Sequence, residues 1–246
     1  MGRAFIKELF ERFFVINKCG GCREILSYEE RGSALCDRCA LELRVAKTES
    51  CPACLKSAVD CGCMPRILEK KGALCLRKLY FYKAQKSRAA QNRLLLYLKK
   101  NPNRRMAHFL GEELWDLASA ELSALEATSE NTVIVNLPRG RRSKRVYGFD
   151  QAELICGELS SVSGVPYVAA LKRRRGGREQ KHLDRGKRFG NVRSLFMVSS
   201  ADAVKGKYVI LFDDVVTTGA SMAACTELLV KCGAAGVICL SVAQVP

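Results

Sequence analysis

The stretch Tyr208-Val209-Ile210-Leu211-Phe212-Asp213-Asp214-Val215-Val216-Thr217-Thr218-Gly219-Ala220-Ser221 changes character twice within a few residues. Tyr208 to Phe212 are uncharged and β-branched, aromatic or Leu, as a parallel strand buried on both faces requires. From Ser221 onward Met222, Cys225, Leu228, Leu229 and Cys232 recur at helical spacing. Gly233 is placed to end that helix, and Val237 to Val242 reads as the next strand. The pattern is a βαβ unit, whose chemistry collects at the carboxyl edge of the sheet. There Thr217, Thr218, Gly219, Ala220 and Ser221 offer hydroxyls and backbone N–H groups at a helix start, where the dipole favours an anion. Just before them, Asp213 and Asp214 present adjacent carboxylates that can accept from a vicinal diol or hold a hydrated Mg²⁺. Together these features describe a site for a pentose 5-phosphate.

Working outward, the alternation continues upstream. Leu74 to Tyr82, Thr132 to Leu137 and Pro166 to Leu171 read as strands, and Gln91 to Leu98, Met106 to Leu122 and Phe149 to Leu159 as helices. The expected fold class is therefore α/β with a parallel sheet over residues 73–246. Two basic runs follow strands: Arg139 to Arg145 and Lys172 to Arg178, with ten Arg and Lys between them. Loops at the carboxyl ends of such strands surround the ligand crevice, so these cations are expected on the side of Asp213 and Asp214. Phe149 reads as core, and His108 and His182 as structural.

The first 65 residues have another logic. Eight of the 13 cysteines fall between positions 19 and 63, as Cys19-x-x-Cys22, Cys36-x-x-Cys39, Cys51-x-x-Cys54 and Cys61-x-Cys63. Two such pairs converge on one tetrahedral Zn²⁺ and leave no open position, so zinc here would supply folding energy rather than chemistry. Sequential pairing gives Cys19/Cys22/Cys36/Cys39 and Cys51/Cys54/Cys61/Cys63; an interleaved pairing also satisfies the spacing. Residues 1–65 are thus expected to be a small metal-stapled module, joined by the stretch Met64 to Gly72. Cys75, Cys156, Cys225, Cys232 and Cys239 lie among apolar neighbours and read as small hydrophobes. Met1 to Asn17 is amphipathic and interrupted by charge, which argues against a signal peptide, and no window is apolar enough for a membrane span. Reduced thiols and a cytoplasmic setting are expected.

The 246 residues carry 41 Lys and Arg against 25 Asp and Glu, a formal net charge of +16. Residues 139–193 hold 15 of the basic side chains and only 5 acidic ones. Such a local positive potential attracts phosphate, and the excess over what a pyrophosphate needs leaves room for a longer polyanion such as single-stranded DNA.

The run Val209 to Ser221 resembles the phosphoribosyl pyrophosphate (PRPP) signature of type I phosphoribosyltransferases, with Ser221 where Thr is commoner. Leu137-Pro138, then Tyr147-Gly148-Phe149-Asp150-Gln151-Ala152, and the spacing of Gln180, Arg188 and Asn191, narrow the resemblance to the ComF family. That family couples a double zinc ribbon to a phosphoribosyltransferase-like domain and acts in competence and DNA uptake, with helicase-type partners. The resemblance implies that Asp213 and Asp214 hold ribose hydroxyls with Mg²⁺, that Thr217 to Ser221 hold the 5-phosphate, and that Lys99 lies near pyrophosphate. Tyr147, Asp150, Asn136 and Gly177 depart from the family's usual Arg, Asn, Pro and Thr. The resemblance implies a phosphoribosyltransferase with an unnamed acceptor; the alternative is a non-catalytic single-stranded-DNA adaptor that keeps the PRPP pocket as a sensor.

Overall fold

The computed structural model describes residues 17–83, 88–139, 148–174 and 194–246. The amphipathic segment up to residue 16, Tyr147, most of both basic runs, His182, and the Gly177, Gln180, Arg188 and Asn191 positions lie outside them. Four strands form a parallel sheet in the order β1-β6-β5-β2: β1 (Ala73–Phe81), β2 (Thr132–Asn136), β5 (Tyr208–Val216) and β6 (Gly236–Gln244). Alternate residues serve opposite faces. Ile134, Ile210, Phe212, Ile238 and Leu240 join one apolar cluster, while Val133, Val135, Val209, Leu211, Val237 and Cys239 join another. This two-sided burial is why these strands read as continuous apolar runs.

On the first face pack α4 (Arg104–Ala124) and α5 (Gln151–Ser163), with α3 (Ala90–Lys100) contributing Leu94, Leu95 and Leu98. Asn103 caps α4 by accepting from the Met106 N–H at 2.9 Å, and Asp150 caps α5 by accepting from Ala152 N–H at 3.0 Å. On the second face lie α6 (Ala220–Lys231) and the short α2 (Arg66–Glu69). Gly233 follows α6 in the left-handed region, at φ +85°, as its terminating role requires.

Two expectations change. The strand expected over Pro166 to Leu171 meets the sheet only at an isolated parallel bridge between Tyr167 and Ile134. The ladder strand there is β3 (Leu171–Arg173), which pairs antiparallel with β4 (Phe196–Val198). Lys172 and Arg173 thus belong to a two-stranded ribbon rather than to a loop. The helix expected from Phe149 begins at Gln151, because Asp150 is its cap, and Phe149 is half-buried.

The cysteine-rich segment lies against the sheet's first face. Its helix α1 (Asp37–Lys47) places Cys39, Leu43 and Ala46 in the same apolar cluster as Leu79, Tyr80 and Leu94. The second group of cysteines makes a small cluster of its own with Ala58 and Phe81 at the end of β1.

Candidate functional site

The crevice opens at the carboxyl end of β5. The strand runs further than its apolar stretch suggested, through Asp213 and Asp214 to Val216, because β6 continues beside it with Asp213 opposite Ser241 and Val215 opposite Ala243. Gly219 then adopts φ +72°, a conformation glycine reaches without cost, and α6 starts at Ala220. The Ala223 N–H bonds Gly219 C=O at 2.8 Å, while Thr217, Thr218 and Ser221 are exposed. The Ala220 N–H points at Thr218 Oγ1 at 3.5 Å. Exposed hydroxyls at a helix start suit a doubly charged phosphate.

A cavity of about 450 Å³ lies there, lined by Asp213, Asp214, Thr217 and Ser221 from this unit. Lys99 reaches it from the end of α3, Arg139 from beyond β2 and Arg173 from β3. Tyr82, Leu95, Leu96 and Phe196 make an apolar wall. Of the residues singled out by sequence, the structure brings Lys99, Asp213, Asp214, Thr217 and Ser221 to one crevice. Thr218, Gly219 and Ala220 form the loop beneath it. No sequence signal marked the wall, whose residues carry no motif and come from the end of β1, α3 and β4.

The electrostatics centre on the acidic pair. Arg139 donates to Asp214 Oδ2 at 2.5 Å, and its Nε lies 3.9 Å from the buried Asp150. Burial disfavours the Arg139 charge, but Asp214 outweighs it and raises the guanidinium's affinity for its proton. Asp213 is the reverse case. Burial, reinforced by the Asp214 charge beside it, pushes its carboxyl well above the usual carboxylate range, despite the opposing pull of Arg139. A cation entering the crevice would ionise Asp213 and so compete with a proton. Two adjacent carboxylates suit a hard cation such as Mg²⁺ or a sugar diol.

The eight cysteines assemble sequentially, into Cys19/Cys22/Cys36/Cys39 and Cys51/Cys54/Cys61/Cys63, with the four Sγ atoms of each group within 4.8 Å of one another. Backbone N–H groups point at the sulfurs: Gly21 and Cys36 at Cys19 Sγ, both 3.3 Å, and Ala53 at Cys51 Sγ, 3.4 Å. Burial raises the Cys19 thiol, but these donors bring it down to about 7; the same balance brings Cys51 down to about 6. Cys22 and Cys39 are instead pushed up by burial, and Cys63 by the sulfurs of Cys54 and Cys61 beside it. Four sulfurs to a group, with no histidine among them, fit a tetrahedral zinc ion that would displace the remaining thiol protons. Burial pushes Cys156, Cys225 and Cys239 up, in keeping with inert packing roles. His108 sits 3.1 Å from Glu158 on α5, away from the crevice.

No family model matches the chain. The DNA utilization protein YhgH of Salmonella typhi is 33% identical over 105 residues, 42% of this chain and 45% of that protein. The protein of the same name from Escherichia coli strain K12 matches with the same identity and the same shares. These matches and the two four-cysteine groups fit a ComF-like protein. The match spans less than half the length of those relatives. Among solved structures, the allosteric regulatory enzyme of purine biosynthesis overlaps 55% of this chain and 25% of its own, at TM-score 0.37 and 21% identity. Glutamine PRPP amidotransferase from B. subtilis overlaps 45% and 22%, at TM-score 0.33 and 19% identity. Among the described residues no helix is long and apolar enough to cross a membrane.

Proposed function

We propose that this ComF-like chain binds PRPP, or a related ribose 5-phosphate, with Mg²⁺ and serves DNA utilization. The observation that carries the reading is the convergence of an acidic pair, a hydroxyl-bearing helix start and the cations Lys99, Arg139 and Arg173 around one cavity. Thr217 to Ser221 would take the 5-phosphate, Asp213 and Asp214 the ribose diol and the metal, and the three cations a pyrophosphate. In an enzymatic cycle the metal would neutralise charge on the departing pyrophosphate. The chain's own part is electrostatic: cations fixed in place before reaction lower the barrier without reorganising. Tyr82, Leu95, Leu96 and Phe196 would keep water from that side. The two cysteine groups would hold zinc as structural ions, and residues 1–65 and 73–246 would be the two working parts.

Calorimetric titration with PRPP and Mg²⁺ tests this. Asp213→Ala with Asp214→Ala should abolish Mg²⁺-dependent binding in a protein that remains folded, at roughly 1–3 kcal/mol for each carboxylate removed. Unchanged affinity would remove the assignment. A second reading, an adaptor for single-stranded DNA that retains the pocket as a sensor, is favoured by the net charge of +16 and by Arg173 stacked at 5.8 Å on Phe196 at the crevice. Pyrophosphate release that depends on an acceptor separates enzyme from adaptor.

A further inference from the structure

The second cysteine group is tied to the phosphate loop by a series of interactions that the two working parts do not by themselves require. Lys78 on β1 is fully buried, and its ammonium donates to the Cys61 carbonyl at 2.7 Å and the Cys63 carbonyl at 3.2 Å. The same ammonium lies 5.7 Å from the Phe81 ring centroid. A buried charge is retained only where partners repay its desolvation, and here those partners are the backbone of the last knuckle. Four thiolates around a divalent ion leave a net negative charge, which a neighbouring cation offsets. In register, Lys78 lies opposite Ser241 and Ser241 opposite Asp213, so the clamp shares a row of the sheet with the acidic pair.

Directly beyond Cys63 the chain runs through Met64 to Pro65, whose ring rests on Gly219. A Cβ at Gly219 would lie 2.9 Å from Pro65 Cγ and 3.1 Å from Pro65 Cβ. Ile67 and Leu68 extend this packing into the apolar cluster under α6 with Met222 and Leu229. Gly219 is the left-handed residue that turns the loop into the helix. The segment leaving the second group therefore backs the loop at its sharpest bend.

We propose that the second cysteine group, in its metal-bound form, braces the loop Thr217 to Ser221, with Lys78 as the positioning residue that sets the last knuckle against the sheet. Calling the braced segment a phosphate loop rests on the proposed function; the bracing does not. Losing the metal there frees Cys61 to Pro65, withdraws the ring from Gly219 and lets the loop open. The first group does not touch the loop among the described residues, and its loss should leave the loop unchanged.

Hydrogen–deuterium exchange on the full zinc-loaded chain, without ligand, reads the bracing directly. Cys54→Ser with Cys63→Ser should lose one zinc and speed amide exchange over residues 217–222 by about tenfold, as a local opening made easier. Cys22→Ser with Cys36→Ser should lose the other zinc and leave that exchange as it was. Lys78→Gln should hasten zinc release to a chromogenic chelator by roughly 10–100-fold, as loss of a group supporting metal ligands does, and Lys78→Arg should restore part of it. Loop exchange unchanged in a folded chain short of the second zinc overturns the proposal, and so does an equal rise on losing either zinc. Should the cysteine variants fail to fold, Pro65→Ala decides, since it keeps every ligand: faster exchange at 217–222 supports the brace, and unaltered exchange overturns it. A loop that loosens as expected in a chain that never binds PRPP would retain the brace and remove the phosphate reading.

Discussion

Asp213 shows how one residue can be set against its own fold. Its carboxyl sits beside Asp214 at the sheet's edge, with burial and a like charge both raising its affinity for a proton. A raised folded-state value favours the native state while the group stays protonated. That contribution is complete below the ordinary carboxylate value of about 4 and is lost as pH climbs through the raised one. Asparagine has the same shape and no charge to lose. Asp213→Asn should therefore stabilise the ligand-free chain by an amount that grows from about pH 4 toward neutrality, while removing Mg²⁺-dependent binding. Thermal midpoints of both proteins across that range check the sign; a difference that shrinks with rising pH would contradict it. Asp150 illustrates a departure with a local cause. It stands where the resembled family has Asn, and either residue can cap α5, so the cap survives while a charge is added near Arg139.

At the level of the element, the β5-loop-α6 unit depends on one glycine in a way its neighbours do not. Gly219 and Gly233 both have positive φ, +72° and +85°, but the nearest atom to a Cβ at Gly233 is Lys205 Cγ at 3.4 Å. Alanine at Gly233 meets only the left-handed penalty of about 1–2 kcal/mol. Alanine at Gly219 meets that penalty and the Pro65 ring as well. Denaturant unfolding should show Gly219→Ala to be the more destabilising of the two, and PRPP titration should show it to be the one that damages binding. The βαβ reading of this unit came from residues 208–242 alone, because apolar run, turn and helical spacing are all local. The end of β5 was not local: two adjacent carboxylates argue for a loop, and only pairing with β6 carries the strand through them to Val216.

For the whole molecule, the positive charge and the crevice make one testable surface. If Arg173 and its neighbours serve both ligands, single-stranded DNA and PRPP should compete. Arg173→Gln with Arg174→Gln and Arg175→Gln should weaken DNA binding at every sequence and reduce the log–log salt slope by about 0.7 for each phosphate that is no longer neutralised. Filter binding with saturating PRPP and Mg²⁺ checks this, and DNA affinity indifferent to PRPP would place the two ligands on separate surfaces. Metal analysis is expected to give two zinc ions per chain, with the eight clustered cysteines protected from alkylation in the folded protein. Chelation should not act on the cysteine segment alone, because Cys19, Cys39 and Leu43 share a core with Leu79 and Leu94.

The cysteine knuckles, the phosphate-type loop and the acidic pair were legible by themselves, since each is a short pattern whose geometry is fixed by neighbours in the chain. Sequential grouping of the cysteines needed the fold, because spacing permits both pairings and only packing chooses one. The company Asp213 keeps was likewise out of reach. Arg139 meets Asp214 across 75 residues, Lys99 arrives from the helix that follows the far edge strand, and Arg173 from a ribbon outside the main sheet. The order β1-β6-β5-β2 brings them together, and strand order is set by burial of two apolar faces over the whole sheet, a quantity no local stretch of sequence contains.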